Sequence, residues 1–150
     1  PIETLSSKDK VIFFDIETTG FSRKYCNIYL IGCMYYAGEQ LMYTQWLAEN
    51  FNDEANVLMA FNKFIKDFDT IIHFNGNSFD IPFVKERGEK YMLDFNFEKY
   101  KQIDIYKSVN SINHILKIEN QKQKTFEKLL NIERTDPFSG GDLIEVLSNM

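Results

Sequence analysis

The chain has 150 residues, 44% of them hydrophobic and 26% charged, which suits a single domain with a substantial core. Its formal net charge of −5 argues against a strongly basic domain that binds duplex DNA through many phosphate contacts. No apolar run reaches transmembrane length, the N-terminus lacks a signal-peptide pattern, and the two cysteines fit a reducing compartment. We therefore expect a cytoplasmic protein without membrane contact.

The first third of the chain predicts an antiparallel meander of three strands. Residues 10–17 form a short apolar run that ends in polar residues, which is typical of a buried strand. Residues 27–37 and 40–47 have the composition of two further strands, and Gly38 with Glu39 marks the turn between them.

The rest of the chain alternates predicted helices with single strands. A helix follows a cap at Asn52 or Asp53, because apolar residues then recur at helical spacing. The further predicted elements are a strand at 70–74, a helix from about Ser78 with Pro82 in its first turn, a strand at 101–105, and helices near 106–117, 122–131 and 142–149. This order predicts an α/β fold with a mixed five-stranded sheet flanked by helices.

Two carboxylates stand at the end of the first predicted strand. Side chains two residues apart in a strand share a face, so Asp15 and Glu17 point the same way while Ile16 packs on the other side. Two acids beside a strand this apolar are costly unless a cation that prefers oxygen ligands compensates. The alternative is a simple strand end with two solvated carboxylates, and the spacing alone does not decide between them.

A second polar cluster follows the strand predicted at 70–74. Residues 75–77, Asn-Gly-Asn, predict a turn, and Asp80 falls in the first turn of the next helix. The helix dipole alone also favours an aspartate there. If this strand lies beside the first one, Asp80 approaches Asp15 and Glu17, because ligands gather at strand ends where the topology switches. Three converging carboxylates suit a site for two divalent ions.

Both clusters resemble motifs of one known family. Residues 14–20, Phe-Asp-Ile-Glu-Thr-Thr-Gly, resemble the first motif of the DEDD (DnaQ-like) 3′→5′ exonuclease superfamily, which has a ribonuclease H-like fold. Residues 75–82 resemble its second motif, most of all in YprB-like bacterial domains and the proofreading domains of family B DNA polymerases. Residues 133–140 also resemble the YprB-like group. We expect one ribonuclease H-like domain over residues 1–150.

The resemblance implies a metal-dependent exonuclease that removes nucleoside 5′-monophosphates from the 3′ ends of single-stranded DNA or RNA. Asp15, Glu17 and Asp80 would be its catalytic residues and hold two Mg²⁺ or Mn²⁺ ions, which activate water and stabilise the leaving oxygen. The residues expected near the substrate are Thr18, Thr19 and Gly20 in a tight turn, Asn75 and Asn77 in the second motif, and Asp104 as an auxiliary acid.

The fourth carboxylate of the family pattern is not evident in the sequence. Tyr100 and Asp104 match one family form by spacing, but Asp104 follows Asp80 too soon and falls in a predicted strand. The other candidates are less suitable in type or place: His114 with Glu119, Asp136 and Asp142. We expect the final motif beyond Met150, so that the chain is truncated at its C-terminal end, or else a site that is incomplete.

Other functions remain open at this point. A catalytically incomplete ribonuclease H-like domain that binds nucleic acid or a protein partner agrees with the missing fourth acid. A phosphatase or sugar transferase can also use an acidic pair after a strand, although its second acid is usually Asp. Three phenylalanines near the motifs can stack on bases, but we expect core packing for at least two of them: Phe21, Phe79 and Phe83. We expect His73 to be a packed strand residue.

Overall fold

The computed structural model describes residues 10–112, 115, 120, 122–133, 135 and 142. Their strands are β1 Val11–Thr18, β2 Ile28–Ala37, β3 Gln40–Leu47, β4 Thr70–His73 and β5 Lys101–Asp104. Their helices are α1 Glu54–Ile65, α2 Asp80–Lys90, α3 Ile105–Asn110 and α4 Gln123–Leu129, with short 3₁₀ helices at Phe51–Asp53 and Phe97–Lys99.

The five strands form one mixed sheet in the order β3-β2-β1-β4-β5. β1, β2 and β3 are antiparallel neighbours, whereas β4 pairs in parallel with both β1 and β5. The predicted α/β fold with its three-stranded meander is therefore confirmed. The parallel pairing of β1 with β4 covers only Val11 to Phe13 opposite Thr70 to Ile72. The two strands then separate, and the second half of β1 faces the start of α2.

The two faces of β1 have opposite characters. Ile12, Phe14 and Ile16 point into the core, where the ring of Phe14 stacks on Phe61 and Phe97 at centroid distances of 5.4 and 5.9 Å. Residues 13, 15 and 17 alternate onto the other face, which is more open. Burial of the apolar face fixes the register of the strand, so its two carboxylates must lie on the open face.

The helix boundaries largely follow the sequence signals. Asp53 is the N-cap residue of α1, as predicted, although its side chain makes no capping hydrogen bond. Asn50 caps the preceding 3₁₀ helix, since its side chain accepts a hydrogen bond from the Asn52 amide at 2.9 Å. Pro82 is the third residue of α2, where its missing N–H costs nothing.

One helix is shorter than predicted. Within the predicted 106–117 segment, α3 ends at Asn110, residues 111 and 112 form a turn, and Ile115 is again helical. Valine, asparagine and serine near this end all favour helix less than the straight-chain residues do. The interpretations of His114, Glu119 and Asp136 lie outside the described residues, as do most of the 133–141 loop and the 142–149 helix. No helix in the described part of the chain is long and apolar enough to cross a membrane.

Candidate active site

Asp15 and Asp80 meet where β1 and β4 separate. The Ile16 amide, on the edge of β1 that β4 no longer covers, donates a hydrogen bond of 3.2 Å to Oδ1 of Asp80. The Asp80 side chain also forms a hydrogen bond with the Asp15 side chain. Asp80 is buried and Asp15 is exposed, so the pair lies at the boundary between the interior of the fold and the open face of β1. The approach of Asp80 to the strand-end acids, which the two motifs predict, is present in the structure.

The Asp80 carboxyl is held in a protonation state unusual for an aspartate. Burial first, and then the neighbouring Asp15 carboxylate, raise the pKa of Asp80 to about 7, although the Ile16 amide opposes this shift. Two carboxyl groups this close cannot both ionise cheaply. A cation between them would remove the repulsion.

Glu17 lies near the pair on the same face of β1. Its pKa is raised by burial and by the charge of Asp15. The pairing of β1 with β2 shifts by one residue between Glu17 and Thr18, and Tyr29 is the extra residue on β2. Burial and the Glu17 charge raise the pKa of Tyr29. The irregularity thus places a phenol close to the second acid of the first motif.

The donor chemistry of the three acids fits a hard divalent cation, since carboxylate oxygens are the ligands that Mg²⁺ and Mn²⁺ prefer. The observation that favours this fit is the hydrogen-bonded contact of the buried Asp80 carboxyl with Asp15, because two such acids repel each other when both are ionised. Within the described residues, however, no three His, Cys, Asp or Glu side chains are arranged as a ready metal cage. The fold joins Asp15 to Asp80 and leaves Glu17 beside Asp15; the metal role of all three stays a prediction.

The acid pair predicts how the stability of the metal-free protein depends on pH. The folded state holds the Asp80 proton more tightly than the unfolded chain, whose aspartate pKa is 3.8. Protonation of Asp80 therefore stabilises the folded state, and this stabilisation is complete below pH 3.8. The stabilisation is lost as the pH rises through about 7. It amounts to about a few kcal/mol at most, the order of magnitude that such a pKa shift implies. Thermal melts in a chelator should give a lower Tm at pH 8 than at pH 5. A Tm that rises over this range would contradict the assignment.

The threonine side chains of the Thr-Thr-Gly turn form hydrogen bonds within their own loop. The Thr18 hydroxyl donates to the Gly20 carbonyl at 2.8 Å, and the Thr19 hydroxyl accepts from the Asn27 amide at 2.9 Å. A Cβ on Gly20 would lie 2.8 Å from Sγ of Cys26, so a larger residue does not fit without movement. The threonine side chains therefore shape the loop, and their predicted contact with substrate stays a prediction.

The second motif is a turn built on His73. Its Nδ1 accepts a hydrogen bond of 3.0 Å from the Gly76 amide, and a Cβ on Gly76 would lie 2.8 Å from the imidazole. Asn75 adopts a left-handed φ of 60°, and its side chain accepts from Ser78 at 2.9 Å. Burial lowers the pKa of His73, which keeps the ring neutral and able to accept. His73 is packed, as expected, and it also holds the turn that leads to Asp80.

Asp104 has a structural position next to this turn. Its Oδ1 accepts from the Asn75 amide at 2.9 Å and from the Tyr106 amide at 3.1 Å, so it joins the second motif to the start of α3. The residue is buried, whereas Asn77 is exposed at the tip of the turn. Of the residues predicted near substrate, Asn77 is the more accessible.

The three phenylalanines divide as expected. Phe83 is fully buried and Phe79 is half-buried against it, with ring centroids 5.2 Å apart. Phe21 is 85% exposed and meets the ring of Phe79 edge-on at 6.4 Å. One aromatic side chain is therefore displayed to solvent beside the segment that carries Asp80.

Sequence reasoning missed a buried ion pair that holds the loop between β1 and β2. Arg87 on α2 donates two hydrogen bonds to the carboxylate of Glu54 on α1, one of them from Nε at 2.8 Å. Glu54 also accepts from the Ile28 amide at 2.8 Å and from the Tyr91 hydroxyl at 2.7 Å. Arg87 further reaches the carbonyl of Lys24 at 3.4 Å.

A signal for this pair exists in the sequence. Glu54 begins the stripe of α1 that continues through Leu58 and Phe61, and Arg87 follows Phe83 at helical spacing on α2. A charged residue on the apolar stripe of each of two helices indicates a buried pair.

Comparison with known proteins agrees with this architecture. A sequence model of the RNase_H superfamily matches residues 12–149. The DNA polymerase of Ostreid herpesvirus 1 (isolate France) is 45% identical over 47 residues, which is 30% of this chain and 2% of that polymerase.

Two solved structures illustrate the shared fold. The family B DNA polymerase of the archaeon Pyrobaculum calidifontis superposes with a TM-score of 0.61 at 20% identity, covering 72% of this chain and 17% of the polymerase. Escherichia coli Exonuclease I in complex with a dT13 oligonucleotide gives a TM-score of 0.72 at 10% identity, covering 85% of this chain and 37% of the enzyme. The chain thus spans a minor part of each of these proteins.

The family match over residues 12–149 confirms, at the level of the superfamily, the resemblance seen in the two motifs, and the mixed sheet with its strand order agrees with it. This chain belongs to the ribonuclease H (RNase_H) superfamily.

Proposed function

We propose that the chain is a metal-dependent nuclease that hydrolyses phosphodiester bonds at the 3′ ends of single-stranded nucleic acid. The observation that carries this proposal is the contact of Asp80 with Asp15 at the point where β1 and β4 separate. Two proteins that share the fold support it: E. coli Exonuclease I, described with a bound dT13 oligonucleotide, and a family B DNA polymerase.

Asp15, Glu17 and Asp80 are the residues proposed to hold Mg²⁺ or Mn²⁺, and bound ions would supply water activation and charge neutralisation. The Ile16 amide fixes one oxygen of Asp80, so the position of that ligand is set by the backbone of β1. Preorganisation of this kind matters because a ligand that must move before reaction weakens catalysis.

Phe21 is the residue proposed to stack on a base at the end of the substrate. Its ring is 85% exposed and is supported by Phe79, one residue before Asp80. Aromatic faces bind single strands without regard to sequence, because every base has a π-face. The backbone of Thr18, Thr19 and Gly20 and the exposed Asn77 are the other proposed contacts. The choice between DNA and RNA would depend on contacts to the 2′ position.

A second candidate is a domain that binds nucleic acid or a protein partner without cleaving. The observation that favours it is the lack of a three-residue metal cage among the described side chains, together with a fourth acid not identified there. This candidate predicts binding of oligonucleotides that does not depend on Mn²⁺ and that leaves them intact.

A polarity assay separates these functions. The chain is incubated with single-stranded DNA or RNA labelled at its 5′ end, with Mn²⁺, with Mg²⁺ or with a chelator. We expect a ladder of labelled products that shortens from the 3′ end only when a metal is present, and a 3′-terminal phosphorothioate should slow it. Release of the labelled 5′ nucleotide first would reverse the proposed polarity. Intact oligonucleotide that remains bound at high Mn²⁺ would favour the second candidate.

A further inference from the structure

A groove lies on the side of the sheet away from the carboxylates. It has a volume of about 400 Å³ and runs between α1 and residues 92–100, which connect α2 to β5. Phe97 in its wall packs on the ring of Phe14, which points to the opposite face of β1 from Asp15. The groove is therefore separate from the proposed nuclease site.

Met92, at one edge of this groove, combines two unfavourable features. It has a left-handed φ of 57° and is 95% exposed. The residue is the second one after α2, where the Met92 amide donates to the Glu89 carbonyl at 3.1 Å and the Leu93 amide donates to the Gly88 carbonyl at 2.9 Å. Glycine is the usual residue at this position of such a helix end, because it has no Cβ to strain. Met92 thus combines a backbone conformation that favours glycine with an almost fully exposed apolar side chain, which is accessible to an apolar partner.

The groove also presents a second methionine and a cluster of positive charge. Met59 on α1 is 48% exposed and lines the groove together with Met92. Three lysines and one acid stand around it: Lys63, Lys66, Lys99 and Asp94. None of the ion pairs found in the described part of the chain uses these lysines. This surface is positive although the whole chain carries a formal net charge of −5.

The chemistry of the groove selects its partner. Flexible thioethers adapt to a bulky apolar side chain, and the lysines around them, of which Lys99 lies over the Tyr100 ring at 4.6 Å, attract acidic groups. The aromatic residues of the groove offer no open face for a base, since Phe95, Phe97 and Tyr100 are 6%, 2% and 8% exposed. A protein segment therefore suits the groove better than a nucleic-acid strand. We propose that it binds an acidic segment of a partner protein that inserts a large apolar side chain between Met59 and Met92.

The test uses a labelled peptide of four glutamates followed by a leucine and a tryptophan, with binding measured by fluorescence anisotropy. NMR of the methionine methyl groups reports the site. We expect the signals of Met59 and Met92 to shift on titration, while those of Met34 and Met42 on β2 and β3 stay in place. A peptide with glutamines in place of the glutamates should bind at least about tenfold more weakly.

Two variants then separate binding from folding. Met92→Gly suits the left-handed backbone and should leave the Tm equal or higher. It should nevertheless lower the affinity for the peptide by about fivefold or more. The double variant Lys63→Glu with Lys99→Glu should lower the affinity for the peptide further. Lys124→Glu, the same type of substitution at a site on α4, should leave that affinity unchanged. Unchanged affinity in both groove variants would overturn the proposal, as would no binding at about 1 mM peptide. Tighter binding of an oligonucleotide through the same lysines would also overturn it.

Discussion

Asp80→Asn is expected to abolish metal-dependent nuclease activity while leaving the fold intact or more stable. The amide can still accept the hydrogen bond from the Ile16 amide, but it cannot supply a charged ligand. Loss of a residue that supports a metal ligand typically costs 10- to 100-fold, so loss of the ligand itself should cost about 100-fold or more. Initial rates of 3′-end release at saturating Mn²⁺ measure the effect.

The same variant should change stability in the opposite direction. Asparagine cannot carry the buried negative charge of Asp80, whose burial first, and then its repulsion with Asp15, raise the pKa of Asp80 to about 7. In a chelator at pH 8, the variant should therefore melt at a higher temperature than the unaltered chain, and the gain should vanish at pH 5. Mn²⁺ should raise the Tm of the unaltered chain but hardly that of the variant.

Two further variants complete this test. Glu17→Gln should also lose activity, because it removes the second acid of the first motif. Glu39→Gln, an exposed carboxyl in the turn between β2 and β3, should change neither activity nor the Mn²⁺ effect. Full activity of either Asp80→Asn or Glu17→Gln would remove these residues from the proposed site.

Arg87→Met is expected to destabilise the fold by about 3–5 kcal/mol. Glu54 is fully buried, and Arg87 is its only cationic partner among the ion pairs of the described residues. Methionine fills much of the same volume but leaves the Glu54 carboxylate charged and without a counterion, which is among the costliest changes in a protein interior. Urea unfolding followed by fluorescence of the single tryptophan, Trp46, measures the loss.

A surface pair provides the matched control. Arg23 and Glu86 approach within 3.7 Å, but their side chains are 47% and 45% exposed. Arg23→Met should therefore cost no more than about 1 kcal/mol. Adding Glu54→Gln to Arg87→Met should recover part of the loss, since no buried charge then remains. If Arg87→Met and Arg23→Met cost the same, the buried pair does not support the loop between β1 and β2.

The strands and the first motif could be predicted from local patterns. β3 begins and ends at the predicted residues, and β1 and β2 agree within one residue, because alternation and turn residues are read over a few positions. The shared face of Asp15 and Glu17 follows from the same alternation. α3 ends early because weak helix formers stand at its C-terminal end, which a helical spacing of apolar residues does not reveal.

Individual side-chain roles were less predictable. Asp104 has the spacing of a family ligand to Tyr100, yet its carboxylate accepts two backbone amides and ties the second motif to α3. Thr18 and Thr19 use their hydroxyls within their own loop. A residue type allows several partners, and only the neighbours present in space select among them.

By itself, the sequence determined the mixed α/β fold, the open-face position of Asp15 and Glu17, and the turn before Asp80. These follow from hydrophobic periodicity and turn chemistry, which act between residues close in the chain. Only the tertiary structure decided that Asp80 accepts the Ile16 amide, 64 residues away, and that Arg87 pairs with Glu54, 33 residues away. Such contacts depend on where two strands separate and how two helices pack, and both are set by the burial of the whole core.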